Sequence, residues 1–188
     1  MAIDLITKAE YKAYAGINST NQDIEIDFLI PKVSALVKSY CRRSFVDYLD
    51  EVKTEVFQGG FKELLLKETP VTQILSVYYS EDYGQTYTKL VKFTDWVQTG
   101  DSVLSINPSG FKELINGYKV NYFAGYEEIP AELKLAVLDL VTYYRKNDMS
   151  VHSTKAPGTN NVQIEYISTT TLPAHIRRIL DLYAADYT

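Results

Sequence analysis

The stretch that most constrains this chain is Ile129–Lys146, IPAELKLAVLDLVTYYRK. Its spacing predicts one helix of about four turns. Pro130 suits the first helical position, because its missing N–H would be unpaired there anyway. Glu132 falls in the first turn and Arg145 and Lys146 in the last, so the charges complement the helix dipole. Leu133, Ala136, Val137, Leu140 and Tyr144 recur at i, i+3, i+4, i+7 and i+11 and define one apolar face. Leu135, Leu138 and Val141 point elsewhere, which leaves a thin polar stripe of Glu132, Asp139, Tyr143 and Lys146. A helix apolar on most sides is buried on most sides, so the chain is expected to pack around this axis. Its weak point is Ile129, a poor residue for the cap position.

Other helical signals lie near the N-terminus. Thr7-Lys-Ala-Glu10 is a capping-box pattern, with Ile6 and Tyr11 placed as a hydrophobic staple. A short helix is predicted from Lys8 to Ala15, stopping at Gly16. Ser19 and Thr20 are candidate caps for a longer helix in which Ile26, Leu29, Ile30, Val33, Val37 and Tyr40 share a face. Pro31 lies inside that pattern and should kink or split it. The helix is expected to end near Cys41-Arg42-Arg43, where basic residues favour a C-terminus.

From Asp47 to Tyr126 the pattern changes to β-favouring runs separated by turn residues: VKTEVF, FKELLL, VTQILSVYY, QTYTKLVKF and YKVNYF. This predicts a β-meander or small sandwich. Gly60-Phe-Lys-Glu-Leu64 and Gly110-Phe-Lys-Glu-Leu114 are identical, which a duplicated hairpin or common hairpin chemistry would explain. After the axial helix, residues 147–161 are polar with Pro and Gly and read as a long loop. Val162–Ile167 alternates like a strand with no evident local partner. Leu172–Tyr187 predicts an amphipathic helix with Ile176, Ile179, Leu180, Tyr183 and Tyr187 on one face, and Arg177, Arg178, Asp181 and Asp186 off it. The fold class is therefore α+β. A helical core (residues 1–46 and 127–188: short, long, axial and C-terminal helices) carries a β-rich insertion at 47–126 between the second and axial helices.

Among 188 residues, 46% are hydrophobic, enough to bury a core. No stretch approaches the roughly 18 apolar residues of a membrane span, and MAIDLITKAE lacks a signal-peptide pattern. A single Cys41 excludes an internal disulfide and fits a reducing compartment. A net charge of −5 argues against a broad basic surface gripping nucleic acid, though not against a surface that DNA slides past. The 16 Tyr suit β-strands, and also interfaces, where a large apolar body with a polar tip is favoured. His152 and His175 lack metal-ligand spacing, and Asp23, Glu25 and Asp27 read as a solvated helix start. Asp47, Glu51 and Lys53 faintly match the carboxylate–Glu-x-Lys set with which nucleases hold Mg²⁺ and position water. Glu-x-Lys is common, and Glu132-Leu-Lys134 repeats it on a helix. No catalytic, cofactor or metal site is assigned.

The order of elements carries a resemblance. Leu5-Ile6-Thr7, Glu10, Lys12, Tyr14 and Gly16 match one motif. Tyr122, Gly125, Tyr126, Pro130, Leu133 and Ala136 match another, and Tyr40-Cys-Arg-Arg-Ser-Phe45 closes the second helix. In these the chain resembles the phage head–tail connector family, also called adaptor or head-completion proteins, over most of its length. Pro31 departs from the smooth second helix of that pattern. The resemblance implies a non-enzymatic virion protein without cofactor, a dodecameric homo-oligomeric ring below the portal. It would join capsid to tail, touch a stopper or tail-completion protein, and let DNA pass through its bore. It assigns portal contact to Leu172–Tyr187, hence to Leu172, Ile176, Arg177, Ile179, Leu180, Tyr183 and Tyr187. Removing residues 172–188 should then weaken docking more than it unfolds the core. Val162, Ile164 and Tyr166 could add a strand to a neighbouring subunit. A tail-completion or other neck protein is the alternative, and a metal-dependent nuclease the least favoured.

Overall fold

The computed structural model describes residues 3–146, 152–155, 162–165 and 172–185. The fold is α+β and divides into two compact units. One joins Asp4–Cys41 with Ala131–Ala184, and the other is built on Arg42–Pro130.

The first unit contains α1 (Lys8–Ala15), α2 (Asp23–Cys41), α3 (Ala131–Lys146) and α4 (Ala174–Tyr183). The capping box opens α1: Thr7 Oγ1 accepts from the Glu10 N–H at 3.2 Å, and Glu10 Oε2 accepts from the Thr7 N–H at 2.7 Å. Gly16, at φ 65°, ends α1 in the left-handed conformation that a residue without Cβ adopts freely. Residues Ile6 and Tyr11, the expected staple, are both buried. α2 starts at Asp23, later than the Ser19–Thr20 caps expected from sequence, and runs unbroken through Pro31. In α3, Leu133, Ala136, Val137, Leu138, Leu140 and Val141 are all buried, which is the axial helix the spacing requires.

Tyrosines fasten this bundle at its rim. Tyr14 Oη donates to Asp139 at 2.5 Å, Tyr40 Oη to Asp181 at 2.5 Å and Tyr183 Oη to Glu132 at 3.4 Å. Each bond joins two helices through a phenol whose tip reaches a carboxylate. Tyr11 Oη lies 3.2 Å from Thr142 Oγ1 and accepts from Arg145 at 3.3 Å. An ion pair from Lys134 to Glu10 at 2.7 Å adds an α1–α3 link.

The second unit holds β1 (Tyr48–Phe57), β2 (Glu63–Leu65), β3 (Val71–Tyr79), β4 (Thr88–Lys89), β5 (Trp96–Thr99), β6 (Ser102–Ser105) and β7 (Tyr118–Ala124). Two antiparallel sheets form, in orders β1-β7-β3-β4 and β2-β6-β5. Buried residues of both make one core: Leu64, Ile74, Val77, Trp96, Val103, Val120 and Tyr122 among them. The arrangement is thus a small sandwich and not a meander, because β7 enters between β1 and β3. Its alternating pattern, buried at Tyr118, Val120, Tyr122 and Ala124, is that of a central strand with one face on the core.

The repeated GFKEL segments are not a duplicated hairpin. The first leads into β2, while Gly110–Leu114 forms no strand, and the two lie side by side. Phe111 N–H donates to the Phe61 carbonyl at 2.8 Å and Gly60 N–H to the Phe111 carbonyl at 2.9 Å. A Cβ on Gly110 would stand 2.8 Å from that Phe61 oxygen, so the second glycine permits the approach.

Leu140 is fully buried on the axial helix. Leu140→Ala is expected to lower unfolding free energy by about 2–5 kcal/mol, the range for a core leucine that leaves a cavity. Guanidinium melts of both proteins measure it.

Candidate functional site

The carboxylate–lysine set near β1 is engaged in other contacts. Asp47 Oδ1 accepts from the Ile3 N–H at 2.8 Å, and Lys53 Nζ donates to Tyr48 Oη at 3.2 Å while lying 4.5 Å from that ring's centre. Glu51 is exposed on β1. Among the described residues no three His, Cys, Asp or Glu side chains group as a metal would need. His175 is exposed on α4, and the His152 side chain lies outside the described residues.

The perturbed carboxyl in this region is Glu55, which sequence reasoning passed over. It is buried on β1; Oε2 accepts from the Lys67 N–H at 3.2 Å, and Oε1 has no partner. Burial pushes its pKa up from 4.5, against the pull of the Lys67 N–H, the Tyr122 hydroxyl and the Lys53 and Lys67 charges. The folded chain therefore holds this proton more tightly than the unfolded one. Stability should fall as pH rises from the ordinary glutamate range through the raised pKa. Glu55→Gln should remove that slope and raise stability at pH 7 relative to the unaltered protein; urea midpoints of both proteins at pH 4 and pH 7 test it.

What the structure offers instead are contact surfaces. On α4, Ile176 and Leu180 are buried, and the Cys41 thiol donates to the Leu180 carbonyl at 3.5 Å. Leu172, Ile179 and Tyr183 are half-buried, Arg177 is exposed, and Tyr187 lies outside the described residues. The helix thus belongs to the bundle core. Deleting residues 172–188 would therefore strip Ile176 and Leu180 from their packing. The outward side of α4 carries His175, Arg177, Arg178 and Leu182, the last 77% exposed.

Residues Val162 and Ile164 lie in β9 (Val162–Glu165), and this strand does have a local partner. It pairs antiparallel with β8 (His152–Lys155), in register Ser153 with Ile164 and Lys155 with Val162. The polar composition of residues 147–161 concealed β8 within what reads as a loop. Tyr166 lies outside the described residues.

The surface that sequence reading missed is on α2. Ile26, Ile30, Val33, Val37 and Cys41 face the core. On the other side Ile24, Phe28, Pro31 and Ala35 are exposed at i, i+4, i+7 and i+11, with Leu36 beside them. Ile24 is 86% and Phe28 61% exposed, and Lys32 Nζ sits 3.1 Å from the Phe28 ring centre. The same periodicity thus occurs twice around one helix, and the search for a core face stops at the first. A second exposed aromatic, Phe93, is 76% exposed at φ 66°. Its turn is fixed by the Phe93 N–H to Trp96 carbonyl bond at 2.8 Å and by Asp95 Oδ2 accepting from the Val91 N–H at 2.7 Å.

The model of the head completion protein family matches residues 4–185. A head completion protein of Escherichia phage T5 is 25% identical over 187 residues, covering 96% of this chain and 98% of that protein. Among solved structures, a chain in the neck of an empty gene transfer agent (GTA) particle, computed with C6 symmetry, has a TM-score of 0.62 at 11% identity, covering 98% of this chain and 91% of that one. A chain in the neck of a native GTA particle, computed with C12 symmetry, has a TM-score of 0.57 at 11% identity, covering 100% and 97%. At such identity these two likenesses speak to the fold.

Proposed function

This chain belongs to the head completion protein family, and on that premise we propose that it is a structural protein of the virion neck, joining head to tail. The observation that carries this is the family match over nearly the whole chain. The fold likeness to neck chains supports it from a second direction.

In its finer form the proposal is a ring of twelve copies beneath the portal, with a stopper or tail-completion protein on the other side. Both neck particles have rotational symmetry, and C6 is a subgroup of C12, so twelvefold copies satisfy either description. Residues 1–46 and 127–188 act as the connector core and 47–126 as its β-rich insertion. DNA passes the ring without sequence-specific binding. A net charge of −5 suits passage, since few lysine or arginine contacts to phosphate mean weak attachment. The protein acts by holding partners in register and not by catalysis.

Two contacts follow within this proposal. The outward side of α4, with Arg177 and Arg178, meets the portal, while Ile176 and Leu180 hold that helix in place. Val162, Ile164 and Tyr166 serve between subunits, because an isolated two-stranded hairpin is marginal in water and gains from a further strand or surface.

Native mass and electron microscopy, alone and with the portal protein of the same virus, test the ring. The expected species is about twelve times 21.4 kDa, seated on the portal. A small oligomer that ignores the portal would leave a tail-side neck protein as the reading. Arg177→Glu with Arg178→Glu should weaken portal association by about tenfold or more with an unchanged melting temperature. Ile176→Asp should instead lower that temperature sharply, because it puts a charge in the bundle core.

A further inference from the structure

An asparagine followed by glycine brings a side-chain amide against the least hindered of backbone nitrogens, and the sequence holds that pair once, at Asn116-Gly117. We propose that Asn116 is a site of spontaneous deamidation, and that its isoaspartyl product loosens the entry to β7.

The fold requires both residues. Asn116 lies in a turn at residues 114–117, closed by the Gly117 N–H donating to the Leu114 carbonyl at 3.3 Å. It stands at φ 51°, in the left-handed region that asparagine tolerates better than most side chains. Position 117 has no room for a side chain. A Cβ there would collide with Leu114 Cβ and stand 3.0 Å from the Leu114 oxygen. Packing thus places an unhindered nucleophile directly after an asparagine.

The local bonding leaves the pair free to react. Asn116 is exposed, and among the described residues its side-chain amide has no hydrogen-bond partner. Gly117 is buried, so attack requires the turn to open, and the bond to be broken is weak. A separation of 3.3 Å is long for N–H···O, and the Leu114 carbonyl also accepts from the Gly59 N–H at 3.0 Å. Other asparagines lack this combination. Asn121 accepts from Thr54 Oγ1 at 2.8 Å and donates to Ser76 Oγ at 3.3 Å, and Asn107 precedes Pro108, whose nitrogen carries no proton to lose.

Water is the only co-reactant. The Gly117 nitrogen gives its proton to hydroxide and attacks Asn116 Cγ. The N–Cγ bond forms, the Cγ–Nδ2 bond breaks, and ammonia leaves with a proton taken from water. Water then opens the cyclic imide. Cleavage of the N–Cγ bond gives an aspartyl residue. Cleavage at the main-chain carbonyl carbon gives the isoaspartyl linkage, in which the chain runs through Cγ and gains a methylene. The Asn116 carbonyl, which accepts from Tyr87 Oη at 3.2 Å, then leaves the main chain as a carboxylate. The next carbonyl, of Gly117, accepts from the Ser80 N–H at 2.8 Å, and β7 starts one residue later. A longer linkage therefore disturbs the bonds that set the central strand in place.

The test incubates the folded full-length chain in ¹⁸O-labelled water at pH 8 and reads its peptides by tandem mass spectrometry. Aspartyl and isoaspartyl forms of position 116, both carrying label, should accumulate faster than acid at Asn18, Asn21 or Asn121. Asn116→Gly keeps the left-handed turn and should abolish the product without unfolding the chain. The isoaspartyl fraction should unfold at lower urea than the unaltered chain, while Asn116→Asp, with the charge but the ordinary linkage, should keep the original midpoint. The site is overturned if Asn116 stays intact while those other asparagines, or the urea-unfolded chain, convert. Acid without label, or the same conversion in Asn116→Gly, overturns it too. An unaltered midpoint in the isoaspartyl fraction overturns the loosening.

Discussion

A helix that is apolar around most of its circumference cannot be left at a surface, and α3 sets that demand for one half of this protein. Leu133, Ala136, Val137, Leu140 and Val141 lose all contact with water. Three helices, drawn from the N-terminal 41 residues and from the C-terminal segment, supply the covering. Chain connectivity then leaves Arg42–Pro130 to build its own core from strands. The helical unit needs side chains that close its rim without placing charge inside. Tyrosine does this: the exposed Tyr14 and the half-buried Tyr40 end on Asp139 and Asp181. Hydrogen bonding to those carboxylates raises both phenols above their ordinary pKa, since a phenolate would lose the bond and repel its partner.

The features legible in sequence are those whose interactions span a few residues. A capping box closes over three positions, and Gly16 ends α1 by its own backbone freedom. The axial helix is legible because its periodicity is internal to it. The features that were not legible depend on distant partners or on side chains competing with the ladder. QTYTKLVKF has strand propensity, yet only Thr88 and Lys89 pair in β4. Asp82 takes the Gln85 and Thr86 N–H groups at 3.0 and 2.8 Å, and Asp95 takes that of Val91, so aspartates bind the donors a strand would need. The place of β7 between β1 and β3 is likewise invisible to spacing, since a central strand and a meander strand can share one pattern.

The family motif around Gly125 has a physical content of its own. Gly125 lies at φ 133°, and a Cβ there would stand 2.7 Å from the Phe45 carbonyl oxygen. Its N–H reaches the Pro70 carbonyl at 2.9 Å, and the Tyr126 N–H reaches Phe45 at 2.7 Å. The residues that follow Cys41 are thereby tied to those that follow β7. The motif is a backbone knot at which the strand unit's beginning and end meet, which explains why it reads as structural and carries no reactive group.

The outer side of α2 shows apolar side chains to solvent, and the charges around them temper that exposure. Lys32 lies over the Phe28 ring, so a hydrated charge shields the largest exposed aromatic of the stripe. Glu25 and Asp27 flank it, paired with Arg145 at 3.6 Å and Lys8 at 2.8 Å. Such charges discourage indiscriminate apolar association, because any partner must displace or match them before it reaches the ring. A lysine on its flexible stem moves aside at modest entropic cost, and its methylenes can then line the contact. The same helix therefore supports two kinds of packing with one periodicity. Its inner face is fixed by Val33 and Val37 against the bundle, and its outer face carries Phe28 beneath the Lys32 ammonium.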